Sequence, residues 1–217
     1  MIKMNREEKK ELVLTTLVCL IPLIAGLLLY SKLPEEMAIH WDAQGNVDGT
    51  SSKLVGTIVL PGILALLNLI FPMLLRIDPK YENMSGKLKT LTHWIIPVIA
   101  VFCSGVTLAA ALGVKTHIEV IAPMLVGVLL VLIGNYLPKT KQSYTMGIKL
   151  PWTLNSEENW NHTHRMAGFL WVIGGMMMIV SGFFSFRYIA LIAIMVVMVA
   201  VPTVYSYLYY KKENQTK

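Results

Sequence analysis

Charge is what this 217-residue sequence has least of. Asp, Glu, Lys and Arg make up 15% of it against 55% hydrophobic residues, and the mean hydropathy is +0.58. A water-soluble domain of this size needs more polar surface. Cysteine is scarce as well: Cys19 and Cys103 both fall in apolar runs, give no zinc spacing and need no redox reading. There is no Gly-x-Ser-x-Gly elbow, Gly-rich phosphate loop or His-Glu-x-x-His helix. His162 and His164 stand two apart, about 200° around a helix, so they face opposite ways and do not share a metal. No enzyme activity and no cofactor or metal site is expected. Charged residues are also missing from the middle of every apolar run. That counts against a gradient-coupled carrier, which needs a charged or titrating group at membrane depth. A small transporter or channel with a neutral pathway stays open as an alternative.

What the sequence has instead is apolar runs of about 20 residues, the length that crosses a hydrocarbon core about 30 Å thick. The expectation is an all-α class, a polytopic bundle of six transmembrane helices near 12–30, 54–75, 91–114, 118–137, 164–186 and 188–210. The first run is too long for a signal-peptide core and reads as a retained span. Lys and Arg divide sharply between the two sets of connections. Fifteen of them (Lys3, Arg6, Lys9, Lys10, Arg76, Lys80, Lys87, Lys89, Lys139, Lys141, Lys149, Arg165, Lys211, Lys212 and Lys217) fall on one side, against Lys32, Lys53, Lys115 and Arg187 on the other. This asymmetry predicts both termini in the cytoplasm, N-in and C-in. The net charge of +6 is then a signal of topology and of attraction to anionic lipid in the bilayer, not of direct nucleic acid binding.

Small residues suggest where helices meet: Gly105, Ala109 and Gly113 recur every four residues, and Gly168, Gly175 and Gly182 every seven. Pro22, Pro61, Pro72, Pro97, Pro123 and Pro202 are expected to kink or terminate spans. Asn68, Ser104 and Thr107 read as hydrogen-bonding partners between helices. Tyr205, Tyr207, Tyr209 and Tyr210, followed by Lys211 and Lys212, form an interfacial belt.

Two connections carry unusual polar sequence. Residues 31–53, expected outside, contain Pro34, His40, Trp41, Asp42, Gly45, Asp48 and Gly49, with turn formers after a short extended stretch. Asp42, Gln44, Asn46 and Asp48 alternate as in a calcium loop, but Lys53 stands where its bidentate Glu belongs. The acids Glu35, Glu36, Asp42 and Asp48 suit a cationic peptide arriving from outside. Residues 138–163, expected inside, include "GIKLPWTLNSEENW". There Pro151 fixes an extended approach, Trp152 and Trp160 suit the headgroup boundary, and Ser156 caps a helix beginning near Glu157. Two readings stand: a capped connector between spans, or a functional element, either a docking surface for a cytoplasmic partner or a gate for a pocket between the helices.

These two stretches resemble the modules of bacterial SdpI-type membrane proteins. The first does so through "LPEEMAIHWDAQGNVDG". The second is the more specific, through Gly134-Asn135-Tyr136, Pro138-Lys139, Gly147-Ile148, Pro151-Trp152-Thr153-Leu154, Glu158, Trp160 and Thr163-His164-Arg165. The resemblance implies an amino-terminal module over 1–90 and a carboxy-terminal module over 91–217. It also implies immunity against a secreted antimicrobial peptide toxin at the bacterial plasma membrane. A cytoplasmic transcriptional repressor recruited to the membrane is a further implied partner. Lys149-Leu150 stands where the family pattern has Arg-Thr, and Ser143 where it has Asn. Lysine keeps the charge of that arginine without its planar fork of donors.

Overall fold

A computed structural model describes residues 4–184 and 187–215. Lys3 and Lys217 of the charge count, and the expected end of the fifth span at 185–186, lie outside the described residues. Six helices are long and apolar enough to cross a membrane: α1 (Arg6–Leu28), α2 (Val55–Leu75), α3 (Gly86–Ala111), α4 (Ile118–Tyr136), α6 (Glu157–Ser181) and α7 (Arg187–Gln215). A short helix, α5 (Pro151–Asn155), precedes α6.

Three helices begin earlier than hydropathy predicts, because capping and charge extend them beyond the apolar run. Asn5 accepts from the Glu8 N–H at 2.8 Å while Glu8 accepts from the Asn5 N–H at 2.9 Å, so α1 starts six residues before its expected position. Likewise α3 starts at Gly86, and α6 starts at Glu157 behind Ser156, whose hydroxyl accepts from the Asn159 N–H at 3.1 Å. The prolines terminate none of these helices. Pro22, Pro72, Pro97, Pro123 and Pro202 lie inside them, and Pro61 sits in the first turn after the π-helical stretch Val55–Val59 that opens α2.

The all-α expectation needs one amendment. Between α1 and α2 the chain forms an antiparallel hairpin of β1 (Glu36–Trp41) and β2 (Val47–Ser52), with Glu36 opposite Ser52, Met37 opposite Ser51 and His40 opposite Gly49. The register shifts on either side of His40. Two strands alone are marginal in water, and this pair is anchored by Met37. Its side chain is fully buried, packing with Leu33 and Leu108 and against Gly56.

The chain divides into two compact units: Met1–Ile77 with Lys89–Glu119, and Asp78–Leu88 with Val120–Lys217. In the first unit, Cys19, Ala65 and Ala100 form a core among α1, α2 and α3, and the Asn68 amide donates to Thr15 and Thr16 at 3.2 and 3.1 Å. Asn68 is thus an interhelical bridge, as expected, whereas the buried Ser104 hydroxyl has no partner among the described residues. At the opposite end of this unit from the hairpin, Glu8 pairs with Arg76 at 2.7 Å and Glu11 faces His93 Nδ1 at 3.1 Å. Buried charges of this kind are kept by pairing.

The second unit is built on glycine. A Cβ on Gly175 would stand 2.6 Å from the Gly127 carbonyl oxygen, and one on Gly168 2.7 Å from that of Gly134. Each helix contributes two glycines seven residues apart, so α4 and α6 approach with their backbones in contact. Gly168 and Gly175 therefore serve as expected. The Gly105 and Gly113 stripe does not: nothing lies within 4 Å of a Cβ at either. Gly113 instead ends α3, taking φ +78° while the Val114 N–H reaches the Ala109 carbonyl at 2.9 Å and the Gly113 N–H that of Ala110 at 3.0 Å.

Candidate functional site

The hairpin uses most of its acids internally. Asp42 accepts from the Gln44 and Asn46 N–H groups at 2.9 and 2.8 Å and from the Asn46 amide at 3.0 Å. The Asn46 side chain first, then the backbone donors, hold its carboxyl below the ordinary carboxylate value. The calcium-like alternation is therefore a closed turn, with Gly45 at φ +88°. Asp48 meets His40 Nδ1 at 2.5 Å, and Gly49 leaves room for the His40 side chain, 2.9 Å from where a Cβ would stand. Glu35 pairs with Lys53 at 3.0 Å, and the same ammonium lies 4.8 Å from the centre of the Tyr30 ring. Of the four acids expected to face a cationic ligand, Glu36 remains exposed with no bond described for its carboxylate. Pro34 is exposed ahead of β1, and Trp41 ends that strand half-buried.

The connection between α4 and α6 is folded around a buried ring pair. Trp160 is fully buried, stacks on His164 with centroids 3.9 Å apart, and donates from Nε1 to the Thr140 carbonyl at 2.7 Å. His164, also fully buried, faces the Trp160 carbonyl with Nδ1 at 2.8 Å and takes the Ile148 N–H on Nε2 at 2.9 Å. A carbonyl on one side and an N–H on the other assign the neutral tautomer with its proton on Nδ1. Gly147 passes directly over these rings at φ +104°, and a Cβ there would lie 2.5 Å from His164 Nε2 and 2.7 Å from the Trp160 ring. Glycine is required twice over, by conformation and by space.

Downstream, Thr153 is fully buried. Its hydroxyl accepts from the Leu150 N–H at 2.9 Å and donates to the Ile148 carbonyl at 2.7 Å, closing the first turn of α5 behind Pro151. Trp152 leans on α7, donating to Ser206 Oγ at 2.9 Å, with Tyr207 edge-on and Tyr210 stacked. Asn159 holds the same place on α7 through the Ser206 carbonyl at 2.9 Å and accepts from Thr163 at 3.0 Å. Near the end of α7, Tyr209 donates to Glu158 at 2.5 Å and stacks on His162. Three tyrosines of the expected belt, Tyr207, Tyr209 and Tyr210, thus hold side chains of α5 and α6.

Upstream, the organising group is one that sequence reasoning missed. Asp78, in the α2–α3 connection, is buried. Its Oδ2 accepts from Ser143 Oγ at 2.5 Å, Tyr144 N at 2.8 Å, Thr145 N at 3.0 Å and Thr145 Oγ1 at 2.9 Å; Oδ1 accepts from Lys80 N at 2.8 Å. Burial alone would push this carboxyl up. The donors, Ser143 foremost, outweigh burial and bring it down to about 2. Lys80 Nζ bonds Gln142 at 2.5 Å, and the Gln142 amide caps the Thr153 and Leu154 carbonyls at 3.0 and 2.7 Å. An Asp-Pro pair in a short link signals a turn; nothing in it signals a partner 65 residues away.

The motif residues therefore separate into three groups. Thr153, Trp160 and His164 come together in the buried knot, with exposed Gly147 laid over it, while Trp152 and Glu158 tie to α7. Asn135, Pro138, Lys149, Pro151 and Arg165 are exposed, Pro138 also packing on Gly168 and Lys149 reaching the Thr145 carbonyl at 3.1 Å. Lys149, where the family pattern has arginine, makes one backbone bond that requires no fork. Ser143, in place of asparagine, donates to Asp78 and accepts from the Met146 N–H at 3.1 Å.

Over 212 residues the chain is 32% identical to "Immunity protein SdpI" of Bacillus subtilis (strain 168), covering 96% of this chain and all of that relative. The chain belongs to the SdpI family. The SdpI/YfhL protein family model matches residues 139–206, which span the knot, α5 and α6 and end at Ser206, the residue that holds Trp152 and Asn159. A domain of unknown function (DUF1648) matches residues 17–65, enclosing the hairpin. Asp78 and Lys80 lie outside both matched segments. No solved structure matches.

Proposed function

We propose that this SdpI-family chain is a multi-pass immunity protein of the bacterial plasma membrane, protecting its cell from a secreted antimicrobial peptide by binding it without catalysis. The observation that carries this reading is the end-to-end similarity to a relative named an immunity protein. In this reading both termini are cytoplasmic, following the bias of Lys and Arg. The 1–90 module presents the hairpin outside, and the 91–217 module presents the α4–α6 loop inside. The exposed hairpin residues Pro34, Glu36 and His40 are the first contacts offered to an arriving peptide.

Recruitment of a cytoplasmic repressor is an extension supported by the exposed side of the loop, where Tyr144, Lys149, Pro151 and Arg165 are accessible. The reading is tested by expressing the chain in a strain sensitive to membrane-active peptides and challenging it with a panel of them. Survival gained against one peptide and not the others is the expected result. No gain against any of them would sink the immunity reading. Loss of repressor recruitment in Lys149→Ala or Arg165→Ala, with insertion intact, would mark the loop as the docking side.

A further inference from the structure

We propose that Asp78 is a positioning residue for the α4–α6 loop: through its carboxylate, and through Lys80 beside it, the α2–α3 connection sets the shape of the segment from Ser143 to Lys149. The functional half of this inference rests on the reading that the loop's exposed side meets a partner.

The loop has turn chemistry of its own, Ser143 Oγ accepting from the Thr145 and Met146 N–H groups at 3.2 and 3.1 Å, but that hydroxyl is itself held by a distant carboxylate. Here one oxygen of Asp78 gathers four donors from three consecutive residues, two of them backbone N–H groups. Those donors fix the chain direction immediately before Gly147, the residue that must lie flat on Trp160 and His164. The Lys80 ammonium does the same one step away, since the Gln142 it holds is the group that caps the carbonyls of Thr153 and Leu154. The start of the segment and, through Gln142, the α5 turn that follows it are therefore referenced to residues 78–80. Exposed Tyr144, with Lys80 5.2 Å from its ring centre, and exposed Lys149, which reaches back to the Thr145 carbonyl, take their places from that frame.

Charge, not shape, is the active property of Asp78. Both of its oxygens accept, so an amide at this position must turn an NH2 group toward a donor. Asp78→Asn, although isosteric, should therefore release the segment, which a space-filling role would not predict. The experiment is hydrogen exchange by mass spectrometry on the full chain in lipid nanodiscs, run beside peptide challenge of cells carrying the same variant. In Asp78→Asn the amides of residues 144–148 are expected to exchange roughly tenfold faster or more, as suits loss of bonds to a charged acceptor, while α6 keeps its protection. Resistance should fall with them.

Slow exchange of 144–148 in Asp78→Asn would overturn the proposal, and so would full resistance with a released segment. If Asp78→Asn does not accumulate, Lys80→Met removes the bond to Gln142, and Ser143→Ala removes the bond to Asp78 together with those from the Thr145 and Met146 N–H groups; both are expected to loosen 144–148 by a smaller factor, and unchanged exchange in both would overturn it. Absence of resistance in the parent chain sinks the immunity reading alone, and the exchange result still decides the role of Asp78.

Discussion

Ile148 and His164 are joined by a bond from the backbone N–H of one to Nε2 of the other at 2.9 Å, the imidazole fully buried and Ile148 half-buried. The imidazole serves as an acceptor for a turn that has no helix or strand to satisfy it. His164→Ala leaves the Ile148 N–H without its acceptor and removes the ring that Trp160 stacks upon. A fully buried unsatisfied donor costs about 1–3 kcal/mol, so this half-buried one falls toward the lower end of that range, and the lost stack adds to it. The unfolding midpoint in detergent should drop, and His164→Lys, which offers donors where an acceptor is needed, should be worse than alanine. A midpoint unchanged in both variants would show that the ring does not hold the turn.

Gly147→Ala tests the same knot from above. Its φ of +104° is costly for any residue with a Cβ, and the added carbon falls 2.5 Å from His164 Nε2. Neither ring can retreat, because both are fully buried. The variant should accumulate poorly or lose several degrees of thermal stability, whereas Lys149→Ala two residues on, removing one exposed bond, should match the parent chain.

The pH response of the loop follows from Asp78. Its folded carboxyl stands at about 2, below the ordinary carboxylate value of 3.8, so its contribution is fully present above that ordinary value and is lost as pH falls through about 2. Protection at residues 144–148, taken relative to the intrinsic exchange rate at each pH, and the fluorescence of Trp160 should therefore stay flat from neutrality down to about pH 4 and change below it. A transition centred near pH 6 would assign the loop's stability to a different group.

What could be read in advance divides along local and non-local lines. Apolar length located the six spans, and Ser156 with Glu157 and Glu158 marked the start of α6, because a cap and its first turn are neighbours in sequence. The hairpin was half legible: Gly45 and Gly49 announced turns, but Met37, which anchors it, is one apolar residue among many until Gly56 and Leu108 are seen around it. Asp78 was not legible, since its donors come from another connection. Trp160 was read for its depth alone: tryptophan beside polar residues suits a headgroup boundary, and that pattern does not show that the ring is fully buried against His164. The Met37 anchor and the Asp78 frame are pairings across sequence distance that no local pattern encodes.

Glycine spacing gave one stripe that packs and one that does not, and alanine substitution separates them. A Cβ on Gly175 meets the Gly127 carbonyl oxygen at 2.6 Å and Val131 Cγ2 at 2.9 Å, and the first of these is backbone, which cannot swing aside. Gly175→Ala must push α4 and α6 apart, forfeiting the contacts of Gly134 with Gly168 as well, because the two close approaches share the same pair of helices. On Gly105 the same carbon meets nothing within 4 Å. Replacing glycine by alanine in an open helix interior favours the helix by about 0.5–1 kcal/mol, so Gly105→Ala should be neutral or slightly stabilising. The measurement is the folded fraction recovered from membranes and its thermal midpoint, taken for both variants in the same detergent. Equal loss in the two would mean that α4 and α6 do not meet at these glycines, and equal tolerance would mean that their contact is loose enough to absorb a methyl group.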